Sequence, residues 1–336
     1  MKLHKLIKLL PLLFVLFMSP VFSYADGGII AYYKVAVLKG SVDEIGTKVK
    51  TILESAVNSE GQTVVPFKVI GEYNPAKNPG LRVVAFTRDD LLALTSAMPT
   101  IEVMASVMKI GLRDMSDKKG YVEVTLLNPD FVFYAYLRKN INSDNESVLT
   151  GISEDIKLAL LDLGEVIFMP IGENSLNEEQ LKEFRYMVKM PGFEESVELA
   201  SFNTFEEALA MVNGNLHARK NGAFRVYALV PNDLPTMPNE RPDDFRRVLP
   251  AGSATAIFGI GLLDLRTGEP VFLTELGDQN IAAMPYELII ENNKVIILNG
   301  RFRFPLFWPD ITMAQYRKIN KTPRDIEELM KGLTAN

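Results

Sequence analysis

A chain of 336 residues, 47% of them hydrophobic and 23% charged, has the length for two ordinary domains and the composition of a packed globular protein. It contains no cysteine, which excludes disulfides, thiolate chemistry, iron–sulfur clusters and cysteine-based zinc sites. With 36 basic against 42 acidic residues, it has no electrostatic means of gripping nucleic acid non-specifically.

Lys2, Lys5 and Lys8 precede the apolar run Leu9 to Met18, and the segment ends in Ser23-Tyr24-Ala25. This is the charged, apolar, small-residue order of a secretory signal, with cleavage expected before Asp26. The run is shorter than the roughly 20 apolar residues a spanning helix needs, so no stable membrane span is expected once residues 1–25 are removed. An uncleaved N-terminal anchor is the alternative. Cleavage takes three lysines, leaving 33 basic and 42 acidic residues and a net charge of −9. It also removes His4, so His217 is the one imidazole of a mature chain expected in the periplasm or outside the cell.

Ile29 to Leu38, rich in β-branched and aromatic residues, reads as a strand. Ser41-Val-Asp-Glu44 is a capping box, and Val42, Ile45, Val49, Ile52 and Leu53 recur at helical spacing behind it. Phe67 to Tyr73 and Leu81 to Phe86 are predicted strands, and a short helix is predicted between Thr87 and Pro99. Met104 to Met115 and Tyr121 to Leu127 form a predicted hairpin. Residues 141–150 read as polar loop, with a helix from Ser153 to Gly164. Residues 164–192, with a Ser175-x-x-Glu178 capping box, read as a connector carrying one helix. The opening pattern then recurs: a strand at Glu194 to Phe202, a helix capped by Thr204 through His217, and a strand at Phe224 to Val230. Residues 231–250 hold five prolines and read as an exposed loop. Strands follow at Ala254 to Leu262, Tyr286 to Ile290 and Lys294 to Leu298, and Thr322-Pro323 opens a final helix.

The halves also match by residue. At an offset of 171, Val124, Leu127, Asn128, Phe131 and Phe133 recur as Val295, Leu298, Asn299, Phe302 and Phe304. A rival offset of 150 aligns Ile110-Gly-Leu112 with Ile260-Gly-Leu262 but pairs non-equivalent elements. The expectation is an α+β chain of two tandem two-layer α/β domains related by duplication. The first spans 26–163, a connector 164–192, and the second 193–336 with the C-terminal helix. Each copy is expected to own a core.

These elements resemble the Domain of Unknown Function family 302. The second copy carries the likeness best, in Ala254 to Phe258, Ala283-Met-Pro285, Tyr286 to Ile290 and Lys294 to Leu298. The first copy's Asn128-Pro-Asp130 with Tyr134, Tyr136 and Arg138 is similar to the family's exit segment. The resemblance implies a two-layer α/β domain and no particular activity, so it supplies no catalytic residues.

Few residues offer chemistry. His217, at a helix end, more often serves as a charge placed against the helix dipole than as a catalytic group. Gly259-Ile-Gly261 lacks the third glycine of a dinucleotide loop and suits a close approach within a sheet. Ser116-x-x-Lys119 falls in a hairpin turn without its partner motifs. Asp243-Asp244 and the other acidic pairs read as solvated or dipole-facing. One imidazole rules out a histidine-rich metal site; no metal and no cofactor are expected. The densest segment is Gly300 to Asp310. If 301–304 are extended, Arg301 and Arg303 share a face able to clamp an anion, with Tyr286 and Trp308 as flat walls; the alternative is that both arginines pair with local acids. The leading expectation is therefore a non-enzymatic protein that binds a small anionic ligand or a protein partner in the groove between the copies. The alternative is a metal-independent hydrolase or isomerase using carboxylates.

Overall fold

The computed structural model describes residues 28–335; the predicted signal segment lies outside them. The first copy runs β1 (Tyr32–Lys39), α1 (Val42–Glu54), β2 (Lys68–Tyr73), β3 (Leu81–Thr87), α2 (Asp89–Ser96), β4 (Met108–Asp114), β5 (Tyr121–Leu127) and α3 (Pro129–Leu137). Helix α4 (Ser143–Leu161), strand β6 (Val166–Ile171) and helix α5 (Glu178–Lys182) follow. The second copy runs β7 (Val197–Ser201), α6 (Phe205–His217), β8 (Ala223–Pro231), β9 (Arg246–Leu249), β10 (Thr255–Leu262) and α7 (Glu269–Leu276). It ends in β11 (Tyr286–Glu291), β12 (Lys294–Ile297) and α8 (Gly300–Phe307), before α9 (Met313–Lys318) and α10 (Thr322–Lys331).

The strands form two separate six-stranded sheets, β2-β3-β4-β5-β1-β6 and β7-β12-β11-β10-β8-β9. Read backwards, β8-β10-β11-β12-β7 reproduces β2-β3-β4-β5-β1, so the fold is α+β and duplicated. The equivalence extends to irregularities. The ladder skips Val35 in β1 and Leu199 in β7, and it skips Ile70 in β2 and Val226 in β8. β-Bulges alter local twist and are positional features, so the same two bulges in both sheets fix the alignment. It is the alignment of offset 171, with β5 matching β12 and Asn128 and Asn299 both capping the following helix. The offset of 150 would pair β4 with β10, which occupy different places.

Local chemistry explains most elements. Ser41 and Glu44 exchange both capping-box hydrogen bonds at the start of α1, whose Val42, Ile45, Val49 and Leu53 are buried. Thr204 caps α6 by accepting from the Glu207 amide. Gly259 and Gly261 leave room for the Tyr227 and Phe224 rings of neighbouring β8, which a Cβ at either position would overlap.

Five readings need correction. Residues 143–152 are helical because Asn142 and Asn145 form a capping box that starts α4 ten residues before Ser153. Residues 100–106 are a 3-10 helix, so β4 begins at Met108. The connector adds β6 to the first sheet beside β1, and its helix is capped by Asn177 with Gln180 rather than by Ser175. The loop 231–250 contributes β9, parallel to β8. Residues 301–304 are not extended: the Asn299 side chain accepts from the Arg301 amide and begins α8.

Helices α1 and α6 each cover one face of their own sheet. The opposite faces turn toward each other: β2 meets β8, β4 meets the 3-10 turn Ile281–Ala283, and β11 meets its counterpart at 100–106. In place of two separate cores, the buried apolar residues form one cluster running through both copies.

Candidate binding cleft between the two copies

The centre of the expected groove is closed, and it is polar. Lys109 of β4 and Glu287 of β11 form a buried ion pair across the copies. Arg303 lies 3.8 Å from the same Glu287 carboxylate. Its guanidinium donates to the carbonyls of Ala283 and, at 3.2 Å, Pro285, and stacks 3.8 Å from the centre of the Tyr286 ring. Burial and the neighbouring Arg303 hold the Lys109 ammonium well below the usual lysine range. Glu269, at the first turn of α7, accepts from Leu262 N (3.1 Å) in its own copy and from Tyr73 OH (2.9 Å) and Ala76 N (2.8 Å) in the other. Burial pushes its carboxyl up to about 7 against the pull of those donors. Tyr32, Tyr73, Tyr136, Tyr227 and Tyr286 surround this centre, and burial raises every one of their phenols.

The helical turn at 300–307 therefore separates the two arginines meant to act together. Arg301 is exposed and Arg303 is 1% exposed, so they share no face and form no clamp. The structure does bring Arg303 together with Tyr286, as cation and ring in the sealed centre. Trp308 sits at the edge of that centre, packed 5.4 Å from Phe304 and 5.9 Å from Phe272.

Trp308 also borders an open cleft of about 230 Å³. One wall is Ile171 and Gly172, at the β6 edge of the first sheet; the other is Leu276, Gln279, Asn280, Asp310 and Gln315 of the second copy. Asp310 ties the walls together. Its Oδ1 accepts from Glu173 N (3.3 Å), Asn174 N (3.2 Å) and Asn174 Nδ2 (2.6 Å). Gly172 permits this approach, since it has φ +92° and a Cβ there would overlap Asp310 Oδ2. Gly172→Ala is accordingly expected to cost about 1–3 kcal/mol, read as a lower urea midpoint, and to change the Trp308 emission as the wall moves. A second cleft between the copies, about 300 Å³ and bordered by Lys68, Asp89, Asn232 and Arg247, lies near α2 and β9.

His217 has a more specific place than a helix end. Its Nε2 lies 2.8 Å from Asp244 Oδ1, which also receives Arg225 Nη2 at 2.7 Å. Although burial opposes it, the Arg241 amide, Arg225 and His217 hold Asp244 down to about 2. Asp244 is buried, not solvated as its sequence context suggested. It pins the proline-rich loop onto α6 and β8, and its charge is already answered by Arg225.

Among the described residues no group of three or more His, Asp or Glu side chains could hold a metal ion, and no helix is long and apolar enough to cross a membrane. No family model, curated protein or solved structure matches the chain.

Proposed function

We propose that the chain is an exported, non-enzymatic binding protein whose small ligand occupies the cleft beside Trp308. The observation that supports this reading is that both copies and the chain's single tryptophan border the opening. Its lining combines apolar side chains with a few polar ones, a make-up common in ligand sites. Those groups are the amides of Gln279, Asn280 and Gln315 and the Asp310 carboxylate. No cation lines the cleft, so the ligand class becomes a neutral polar molecule in place of the anion expected from paired arginines. The volume lies below the roughly 300–1,000 Å³ of drug-sized sites and suits something of the size of a single sugar ring. A carboxylate hydrolase is the weaker reading, because Asp310 is the one acid in the lining and three donors occupy its Oδ1. The likeness to the Domain of Unknown Function family 302 is carried as a proposal about ancestry and adds no activity.

The single tryptophan makes the test direct. Titration with neutral monosaccharides, polyols and small amides is expected to give a saturable change in Trp308 emission for at least one class, lost in Gln279→Ala. Flat emission across the panel, together with a native mass spectrum of envelope-derived protein free of retained ligand, would remove the proposal.

A further inference from the structure

The register alignment of the two sheets has a consequence at their contact. Val124 matches Val295, and their hairpin partners are Leu112 and Ile290. Counting back along β4 and β11, Lys109 is the counterpart of Glu287. Passing through β3 and β10, which pair Lys109 with Ala85 and Glu287 with Gly259, Gly71 of β2 is the counterpart of Tyr227 of β8. Both counterpart pairs touch. Lys109 is ion-paired to Glu287, and a Cβ at Gly71 would lie 3.2 Å from the Tyr227 Cβ. Residues touch their own counterparts where a twofold axis passes. The surrounding contacts are reciprocal, as such an axis requires: β4 with the turn 281–283 and β11 with the turn 100–106, α7 with residues 75–77 and α2 with β9. This is the geometry of a symmetric dimer interface, built within one chain.

We propose that the face joining the copies is a self-association surface that charge at its axis has made one-way, so that the first copy fits the second and not another first copy. In a first–first pairing Lys109 would meet Lys109. The position matching Arg303 is Val132 and the position matching Glu287 is Lys109 itself, so no buried carboxylate of this group is supplied. The second copy holds the carboxylate and a balancing guanidinium. Lys109 therefore finds its counter-charge only across the interface, and like charges juxtaposed there disfavour the wrong partner.

The test uses the full chain. Lys109→Glu places two carboxylates on the axis and is expected to lower the melting temperature by about 10 °C, the scale of a broken buried pair in a chain of this size. Adding Glu287→Gln leaves one carboxylate, now on the first copy and facing Arg303, and more than half of the loss should return. Lys109→Met with Glu287→Gln removes the charge selection. After refolding from urea at high concentration, light scattering should find dimers joined through two first copies, where the parent refolds as monomer. Lys109→Gln with Glu287→Gln replaces that pair if methionine is not accommodated. An unaltered melting temperature for Lys109→Glu, no recovery in the double variant, or neutral pairs that refold solely as monomer would each overturn the proposal.

Discussion

Arg303→Met is expected to lower stability by about 3–5 kcal/mol, the cost of removing one partner from a buried charged cluster, with the folded baseline of the near-ultraviolet spectrum altered as well. The variant strands the carbonyls of Ala283 and Pro285, which the guanidinium now serves, and it deprives Glu287 of its same-copy cation. Lysine would keep the charge but lose the planar stack on Tyr286 and the fork that reaches two carbonyls, so it should recover only part of the loss. Arg301→Met, two residues away on the exposed side of α8, should stay within about 0.5 kcal/mol. Urea unfolding of the three variants side by side measures the contrast. Equal, small effects at both positions would mean that Arg303 is not the organising cation of the interface.

The second large effect is on pH. Glu269 titrates near its ordinary 4.5 in the unfolded chain and is pushed up to about 7 in the folded protein by burial. A carboxyl with a raised folded value binds its proton more tightly in the folded state. Its contribution is therefore flat below the unfolded value, where both states are protonated, and stability falls as pH rises from about 4.5 to about 7. The span corresponds to about 3 kcal/mol. Tyr73 and the amides of Ala76 and Leu262 face this carboxyl, and Arg303 acts on it from a greater distance. Glu269→Gln should be less stable at low pH, because its amide group turns a donor toward a donor at Ala76 or Leu262. The parent's advantage should shrink steadily between pH 5 and pH 8. Parallel stability curves for parent and variant across that range would show that Glu269 does not titrate there.

Much of the architecture was legible because it is written locally. Capping residues at Ser41 and Thr204, the alternation of the strands and the repeated Asn-x-x-Phe-x-Phe exits each carry their own physical cause, so the duplication could be read before the sheets were seen. What escaped was the part that depends on the other copy. Nothing in the run Arg301 to Phe304 distinguishes a strand from a turn of helix except the capping Asn299, and an alternation of Arg and Phe looks like a two-faced strand. Pro305 lies inside α8, past its first turn, where its missing N–H costs one helical hydrogen bond. Glu269, Glu287 and Lys109 carry no local mark of burial, because their partners in the other copy lie 178 to 196 residues away. Asp244 was hidden in the same way, inside a proline-rich stretch whose one buried acid resembles its exposed neighbour Asp243. Trp308 was singled out for its rarity, and it borders the cleft for a different reason, the meeting of the β6 edge with the second copy. A signal existed in the two glycines of β10 and in Gly172, each marking a place where something else must come close.

The polar character of the joining face also bears on the order in which the molecule is made. Charges at the axis find their compensation only when both sheets are in place, so removing water from Lys109 or Glu287 is uphill until the moment of contact. Docking of the copies is for that reason expected to close after the ladders within each sheet. A copy that has formed ahead of its twin presents water with an ammonium or a carboxylate in the middle of its open face, where an aliphatic side chain would invite other chains. The arrangement that complicates the interior of the finished protein keeps its halves dispersed while they wait.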